Sequence, residues 1–353
     1  MRLNGRWKRT LAAVLFGGML VLTSGGCSQP PQRFTTSFLD VFDTASAIVG
    51  YAPDQQTFDL QADQCHQTLE RYNQLYDIYN SYDGLANLKT INDNAGVAPV
   101  EVSEEIIDLL QFGKEMYELS DGLVNICFGS VLEIWHDYRE DGLSHPEKAE
   151  LPPMELLEEA AEHTDIDALI IDEEASTVYL SDPEMRLDVG AIAKGYAVQR
   201  MTESAVENGM ENAAFSIGGN VSTVGWKEGK EGNPWIIGIE NPDLTAGDYL
   251  LTVGISDLSV VTSGNYQRYY TVDGNRYHHI IDPNTLMPAD YMQAVSVLTD
   301  DSGLGDGLST MLFLMPVDEG RELVESLDGV EALWVEMDGT VVTSSGFDEY
   351  IND

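Results

Sequence analysis

In DVGAIAKGYA (188–197) a carboxylate, Asp188, precedes an ammonium, Lys194, by six positions, and the residues around them are small or apolar. The stretch follows Met185-Arg186-Leu187 and runs into Val198-Gln199-Arg200-Met201, the pattern of a strand end turning into a helix. A cation in the first turn of a helix opposes the helix dipole at a cost of about 0.3–1 kcal/mol, so Lys194 calls for a negative partner. Asp188 can cap the helix by accepting free backbone N–H groups. Gly190, Ala191, Ala193 and Gly195 allow close approach to the backbone, and a helix N-terminus beside a lysine suits a phosphate. The same residues also describe a helix packed by its small side chains, with Lys194 extended to solvent.

Three further stretches carry chemistry. Asp306 and Thr310 in GDGLSTMLF (305–313) stand i,i+4 on one face of an apolar helix. They form a hard-oxygen pair suited to Mg2+, or else a helix N-cap with a back-bonded threonine. In RYHHIIDPNT (276–285) His279 and Asp282 bracket two isoleucines ahead of a proline-fixed turn. This pair can supply a base or hold a phosphate, or His279 is simply hydrogen-bonded in a sheet. In FSIGGNVSTVG (215–225) a glycine pair at a strand end marks close backbone approach or a tight turn. The polar turn Thr262-Ser263-Gly264-Asn265 follows an apolar strand.

The elements that must position these residues read as follows. Helical faces run over 62–80, 103–120, 303–315 and 318–327, the second opened by Ser103 as a cap. Strands read at 46–52, 168–172, 177–180, 213–219, 235–242, 249–256, 258–264, 276–282 and 294–300. A hairpin over 332–346 turns at Asp338-Gly339. The interval 137–165 reads as a solvated excursion with a surface helix. Many strands with helices grouped between them give an α+β fold, a single catalytic domain of mixed, mostly antiparallel sheets with flanking helices over 37–353.

The 353 residues carry a net charge of −42, with 60 acidic and 18 basic residues. Four of the basic ones (Arg2, Arg6, Lys8, Arg9) precede the apolar run 11–23, so the remaining body is more acidic still, at −46. Such a surface repels nucleic-acid backbones, and an anionic ligand needs a cation or basic groups that locally reverse the field. The basic start, the short apolar run and SGGCSQPPQ describe a lipoprotein-type leader over 1–26, with Cys27 lipidated and a tether over 27–36. An ordinary signal peptide with an incidental cysteine is the alternative. The expected location is exported, anchored to the cell membrane and facing the extracytoplasmic side. Cys65 and Cys127 could pair, but their spacing does not require it.

Taken in order, LDVGAIAKGYA, FSIGGNVSTVG, TSGNYQRYY, HHIIDPNT and the Asp306-x-x-x-Thr310 pair resemble the ApbE family of FAD:protein FMN transferases, over nearly the whole chain from residue 42 onward. The resemblance implies Mg2+-dependent transfer of FMN from FAD onto a threonine of a target protein, releasing AMP. It places the metal on the Ala191 carbonyl, Asp306 and Thr310. It places FAD on Phe42, Leu123, Val124, Asn125, Asp188, Lys194 and Ile280. The acceptor threonine needs a proton acceptor within hydrogen-bond reach, for which His279 and Asp282 are the candidates. The implied acceptor is a membrane redox subunit or an exported FMN-binding domain.

Three departures accompany the resemblance. Phe42-Asp43-Thr44 stands for Met-Gly-Thr; Asn125 stands for an aspartate, with Ile126-Cys127 for Pro-Thr; Leu286-Met287 stands where a glycine is usual. Two other functions share these residues: an FAD pyrophosphatase giving FMN and AMP, and a non-catalytic lipid-anchored flavin binder.

Overall fold

The computed structural model describes residues 31–352 apart from Leu244. The leader over 1–26 and Cys27 lie outside the described residues. Gln32–Phe38 (β1) pairs antiparallel with Ser46–Ala52 (β2), so a strand occupies positions expected to be tether. Its side chains are largely exposed, as on a sheet edge, and that exposure hides the strand in the sequence.

The chain continues through helices α1 (Gln55–Tyr76) and α2 (Leu88–Asp93), strand β3 (Val100–Glu101), and helices α3 (Glu104–Leu119), α4 (Gly129–Ser144) and α5 (Met154–Ala161). Strands β4 (Leu169–Asp172) and β5 (Thr177–Leu180) precede α6 (Ala193–Glu207). Then come β6 (Ala213–Ile217), β7 (Asn220–Val224), β8 (Trp235–Glu240), β9 (Tyr249–Ile255), β10 (Ser259–Gly264), β11 (Tyr269–Val272), β12 (Asn275–His278) and β13 (Met292–Thr299). Helices α7 (Ser302–Phe313) and α8 (Val317–Ser326) and strands β14 (Glu331–Glu336) and β15 (Val341–Thr343) complete it.

Eight strands form one wholly antiparallel sheet in the order β1-β2-β6-β7-β10-β13-β14-β15. Period-two alternation divides its residues between two cores. Val295 and Val297 of β13 and Ala332 and Trp334 of β14 join Leu308, Met311 and Phe313 of α7 in the large core under α1, α6 and α7. Their neighbours Ala294, Leu298, Leu333 and Val335 face the opposite way, against Ile239, Val253 and Ile255 of the β8–β9 hairpin and Phe347. A third, smaller core joins Val131 and Trp135 of α4 to Tyr270, Ile281 and Leu286.

Several sequence expectations change in detail. Helix α1 begins earlier, capped by Asp54, which accepts the Thr57 N–H at 2.8 Å, and it ends at Tyr76. Ser103 stands at the N-cap of α3 but makes no side-chain capping bond. The first part of 137–165, expected as a solvated excursion, belongs to the helix α4, whose inward face is only a few residues wide. The 276–282 strand stops at His278, and β7 begins directly after the glycine pair. Cys65 and Cys127 are both buried and free.

Candidate active site

The junction of α6 and α7 is built by main-chain contact. The Gly195 N–H donates to Asp306 Oδ2 at 2.7 Å. A Cβ on Gly195 would lie 2.2 Å from the Ser302 carbonyl oxygen and 2.4 Å from Asp306 Cβ, so only glycine lets the helices meet here. The first helical bond of α6 runs from the Tyr196 N–H to the Ile192 carbonyl at 3.0 Å. The Gly195 amide is spent on Asp306, which leaves the Ala191 carbonyl outside the helix ladder. Asp301, not Asp306, caps α7, accepting from Gly303 at 2.7 Å and Leu304 at 3.0 Å.

Asp306 therefore sits inside the helix with its carboxylate turned to α6, buried, and this burial raises its pKa against the opposing pull of Lys194. Lys194 is near enough for its charge to act on Asp306, but the two form no ion pair. One turn on, the Ser263 hydroxyl lies 3.4 Å from Thr310 Oγ1 and 2.8 Å from Ser309 Oγ, which orients the threonine from β10. Asn220 at the start of β7 completes the wall: it is fully buried beside Asp306, and its Oδ1 has no partner.

Asp188 lies upstream of the helix and does not cap it. Its Oδ1 accepts the Gly190 N–H at 2.8 Å in a tight turn, while Ile192 occupies the cap position without a side-chain bond. Burial raises the Asp188 pKa, opposed by Gly190, His136 and Arg268. The loop Leu123-Val124-Asn125 is held against this segment. The Asp188 N–H donates to the Ile126 carbonyl at 2.9 Å and the Gly129 N–H to that of Arg186 at 3.1 Å. Asn125 is engaged within its own region: Nδ2 donates to the Thr164 carbonyl at 2.9 Å and Oδ1 accepts from Cys127 at 2.8 Å. Phe42 packs against the large core, its N–H on Asn73 Oδ1 at 2.8 Å.

The third group gathers beyond β12. His279 Nδ1 lies 3.2 Å from the Arg268 carbonyl, so Nδ1 carries the hydrogen and Nε2 keeps its lone pair. Burial, then the charges of Arg268, His278 and Arg139, push its pKa down to about 3. Asp282 is tied into its turn: Oδ1 accepts from Asn284 at 2.8 Å, and its backbone exchanges hydrogen bonds with Leu286 and Met287. Ile280 joins the large core. The Trp135 indole donates to the Leu286 carbonyl at 3.0 Å, fixing α4 to this turn.

Arg268, Arg139, His136 and Tyr79 surround Asp188 and His279. Tyr79 and His136 rings lie 5.2 Å apart, and burial together with Asp188 pushes the Tyr79 phenol up to about 12. Sequence reading left these residues unassigned, as it did Asn220 and Ser263. Arg268 and Ser263 stood inside a quoted motif, Asn220 beside the glycine pair, while only tertiary structure brings Tyr79, His136 and Arg139 here.

Thus Lys194, Ala191, Asp306 and Thr310 meet at one junction, two residues of chain separate Ala191 from Asp188, and Arg268 links Asp188 to His279. Among the described residues no group of three or more His, Cys, Asp or Glu is placed to hold a metal; this junction offers one carboxylate with neutral oxygens. A separate 370 Å3 cavity lined by Thr202, Glu203, Ser222 and Asp300 is rich in carboxylates and does not suit an anionic dinucleotide.

The ApbE family profile matches residues 42–334. An FAD:protein FMN transferase of Klebsiella pneumoniae is 32% identical over 285 residues, covering 80% of this chain and 84% of its own length. One from Treponema pallidum is 32% identical over 271 residues, 73% of each chain. The crystal structure of the ApbE protein of Thermotoga maritima superposes with a TM-score of 0.78 at 30% identity, covering 91% of this chain and all of that one. With motifs, fold and these relatives in agreement, the chain belongs to the ApbE family.

Proposed function

We propose that this protein moves FMN from FAD onto a threonine hydroxyl of a second protein, releasing AMP, with Mg2+ held by Asp306, Thr310 and the Ala191 carbonyl. The observation that carries the proposal is the α6–α7 junction, where a buried carboxylate, a carbonyl outside the helix ladder and an oriented hydroxyl face a lysine in an anionic body. The relatives named for FAD:protein FMN transfer support the substrate class. The donors fit a hard cation, which takes oxygen ligands. When bound, Mg2+ supplies neutralisation of pyrophosphate charge.

The chain's own residues bind, orient and move a proton. Lys194 stabilises charge on the phosphates. Phe42, the Leu123-Val124-Asn125 loop, Asp188 and Ile280 position the flavin dinucleotide. The acceptor threonine Oγ bonds to the phosphorus of the FMN half, and the bond from that phosphorus to the AMP oxygen breaks. AMP departs with the electron pair, and the threonine proton passes to His279 Nε2. Of the two candidates for base, His279 is favoured because its Nε2 lone pair is unspent, whereas Asp282 holds its own turn.

The same proposal places the protein outside the cytoplasm, tethered to the membrane through Cys27. The basic-then-apolar leader ending at that cysteine supports it. The acceptor would be a membrane redox subunit or an exported FMN-binding domain.

The test incubates the mature chain with FAD, Mg2+ and a threonine-bearing FMN-binding domain, followed by mass spectrometry. An FMN-sized adduct on threonine with stoichiometric AMP is expected. AMP release with the acceptor unmodified would replace transfer by hydrolysis, and FAD bound but intact would leave only a flavin binder.

A further inference from the structure

We infer that Asn220 is a cation-binding residue of this site, its side-chain carbonyl a fourth protein oxygen beside those of Asp306, Thr310 and Ala191. The inference rests on the Mg2+ reading above and deepens it.

Asn220 is fully buried. Its backbone is fixed on both sides, in register with Ile217 of β6 and Val261 of β10, so the residue cannot swing to solvent. Two positions on, Ser222 contacts Thr202 of α6, which puts this face of β7 under the helices. The Asn220 side chain faces the Asp306 carboxylate, whose pKa its amide N–H lowers, and its Oδ1 is left without a hydrogen-bond partner. An unsatisfied buried polar group costs on the order of 1–3 kcal/mol, and an apolar side chain would fill the same position without that cost. A residue kept here for packing alone would not be an asparagine.

The chemistry explains the choice. An amide carbonyl is a hard neutral oxygen of the kind that joins carboxylates around Mg2+. Its Nδ2 lies on the side of Asp306, where a donated hydrogen bond orients the carboxylate as outer partners do at metal sites. The Gly218-Gly219 turn brings Asn220 to this place, with both glycines at positive φ (53° and 93°).

The experiment measures Mn2+ binding alone, without flavin or acceptor, to the mature chain and to Asn220→Leu, Asn220→Asp and Asp306→Ala, with metal-free melting temperatures alongside. Asn220→Leu is expected to weaken Mn2+ at least ten-fold while the metal-free melting temperature holds or rises. Asn220→Asp is expected to bind at least as tightly as the parent. Parental Mn2+ affinity in Asn220→Leu overturns the inference, as does a ten-fold loss in Asn220→Asp, which also carries the test should the leucine variant not fold. Parental affinity in Asp306→Ala, or no binding by the parent, overturns the metal reading itself. Parental affinity confined to Asn220→Leu overturns only the role of Asn220.

Discussion

The two ends of the site are built differently. At the α6–α7 junction the closest approaches involve main chain: the Gly195 amide on Asp306, the Ser302 carbonyl pressed against Gly195, the Ala191 carbonyl released from its helix. At the rim formed by α4 and the 279–288 turn, side chains carry the contacts, with Trp135 on Leu286, His279 on Arg268 and Tyr79 beside His136. The motifs are intact at the first end, where a single added carbon collides with backbone. The departures from the family pattern fall elsewhere. Asp43 and Leu286 stand where the family has glycine, and both adopt left-handed backbone, with φ of 50° and 59°. Backbone-built sites admit few alternatives; side-chain-built ones exchange residues at the cost of modest strain.

The strongest way to break this comparison is Asp306→Asn. Transfer is expected to fall by about a thousand-fold or more, since the charged donor facing Lys194 is lost. Metal-free stability should move the other way. Asp306 has a folded pKa raised above its unfolded value, so it destabilises the empty protein as pH rises past that unfolded value, and the amide removes the penalty at pH 7. Thermal melts should show a gain; a loss would contradict the burial argument.

His279→Ala is expected to lower transfer by about 10²–10⁴-fold while FAD binding is retained. In the parent, the lowered His279 pKa keeps the ring neutral from pH 6 to 8, so kcat/KM should have no acid limb near 6.5. Such a limb, lost in His279→Ala, would show that the free ring titrates normally.

Gly195→Ala tests the junction as packing. The collision should cost about 1–3 kcal/mol in chemical denaturation, and Mn2+ affinity should fall with it. The smallest effect is expected at Asp43→Gly. Asp43 is exposed and left-handed, so glycine should add about 0.5–1 kcal/mol without changing transfer. Equal and opposite results at these two positions would dissolve the contrast between the ends.

Elements with a clear period were legible in the sequence. β2, α3 and α8 lie within a residue or two of their expected places, because one face of each is buried, and the hairpin turns at Asp338-Gly339 as its sequence signals. Strand β1 was not, since its alternation is only between exposed and half-buried positions, and α4 was not, since its buried face is narrow among acidic residues. In the site, Asp306, Thr310 and Lys194 were legible from spacing. Asn220 was not, because a lone polar residue after two glycines reads as part of a turn until the helices are laid over it. The cap roles given to Asp188 and Asp306 depended on where helices begin, and the caps are Ile192 for α6 and Asp301 for α7.

The tie between Trp135 and the Leu286 carbonyl has an optical consequence. The indole is buried, stacks at 6.5 Å on Tyr277 and is hydrogen-bonded to the turn beside His279. Its emission is therefore a native gauge of that turn, one that dims as a yellow chromophore settles nearby and shifts colour when the loop lets go of α4.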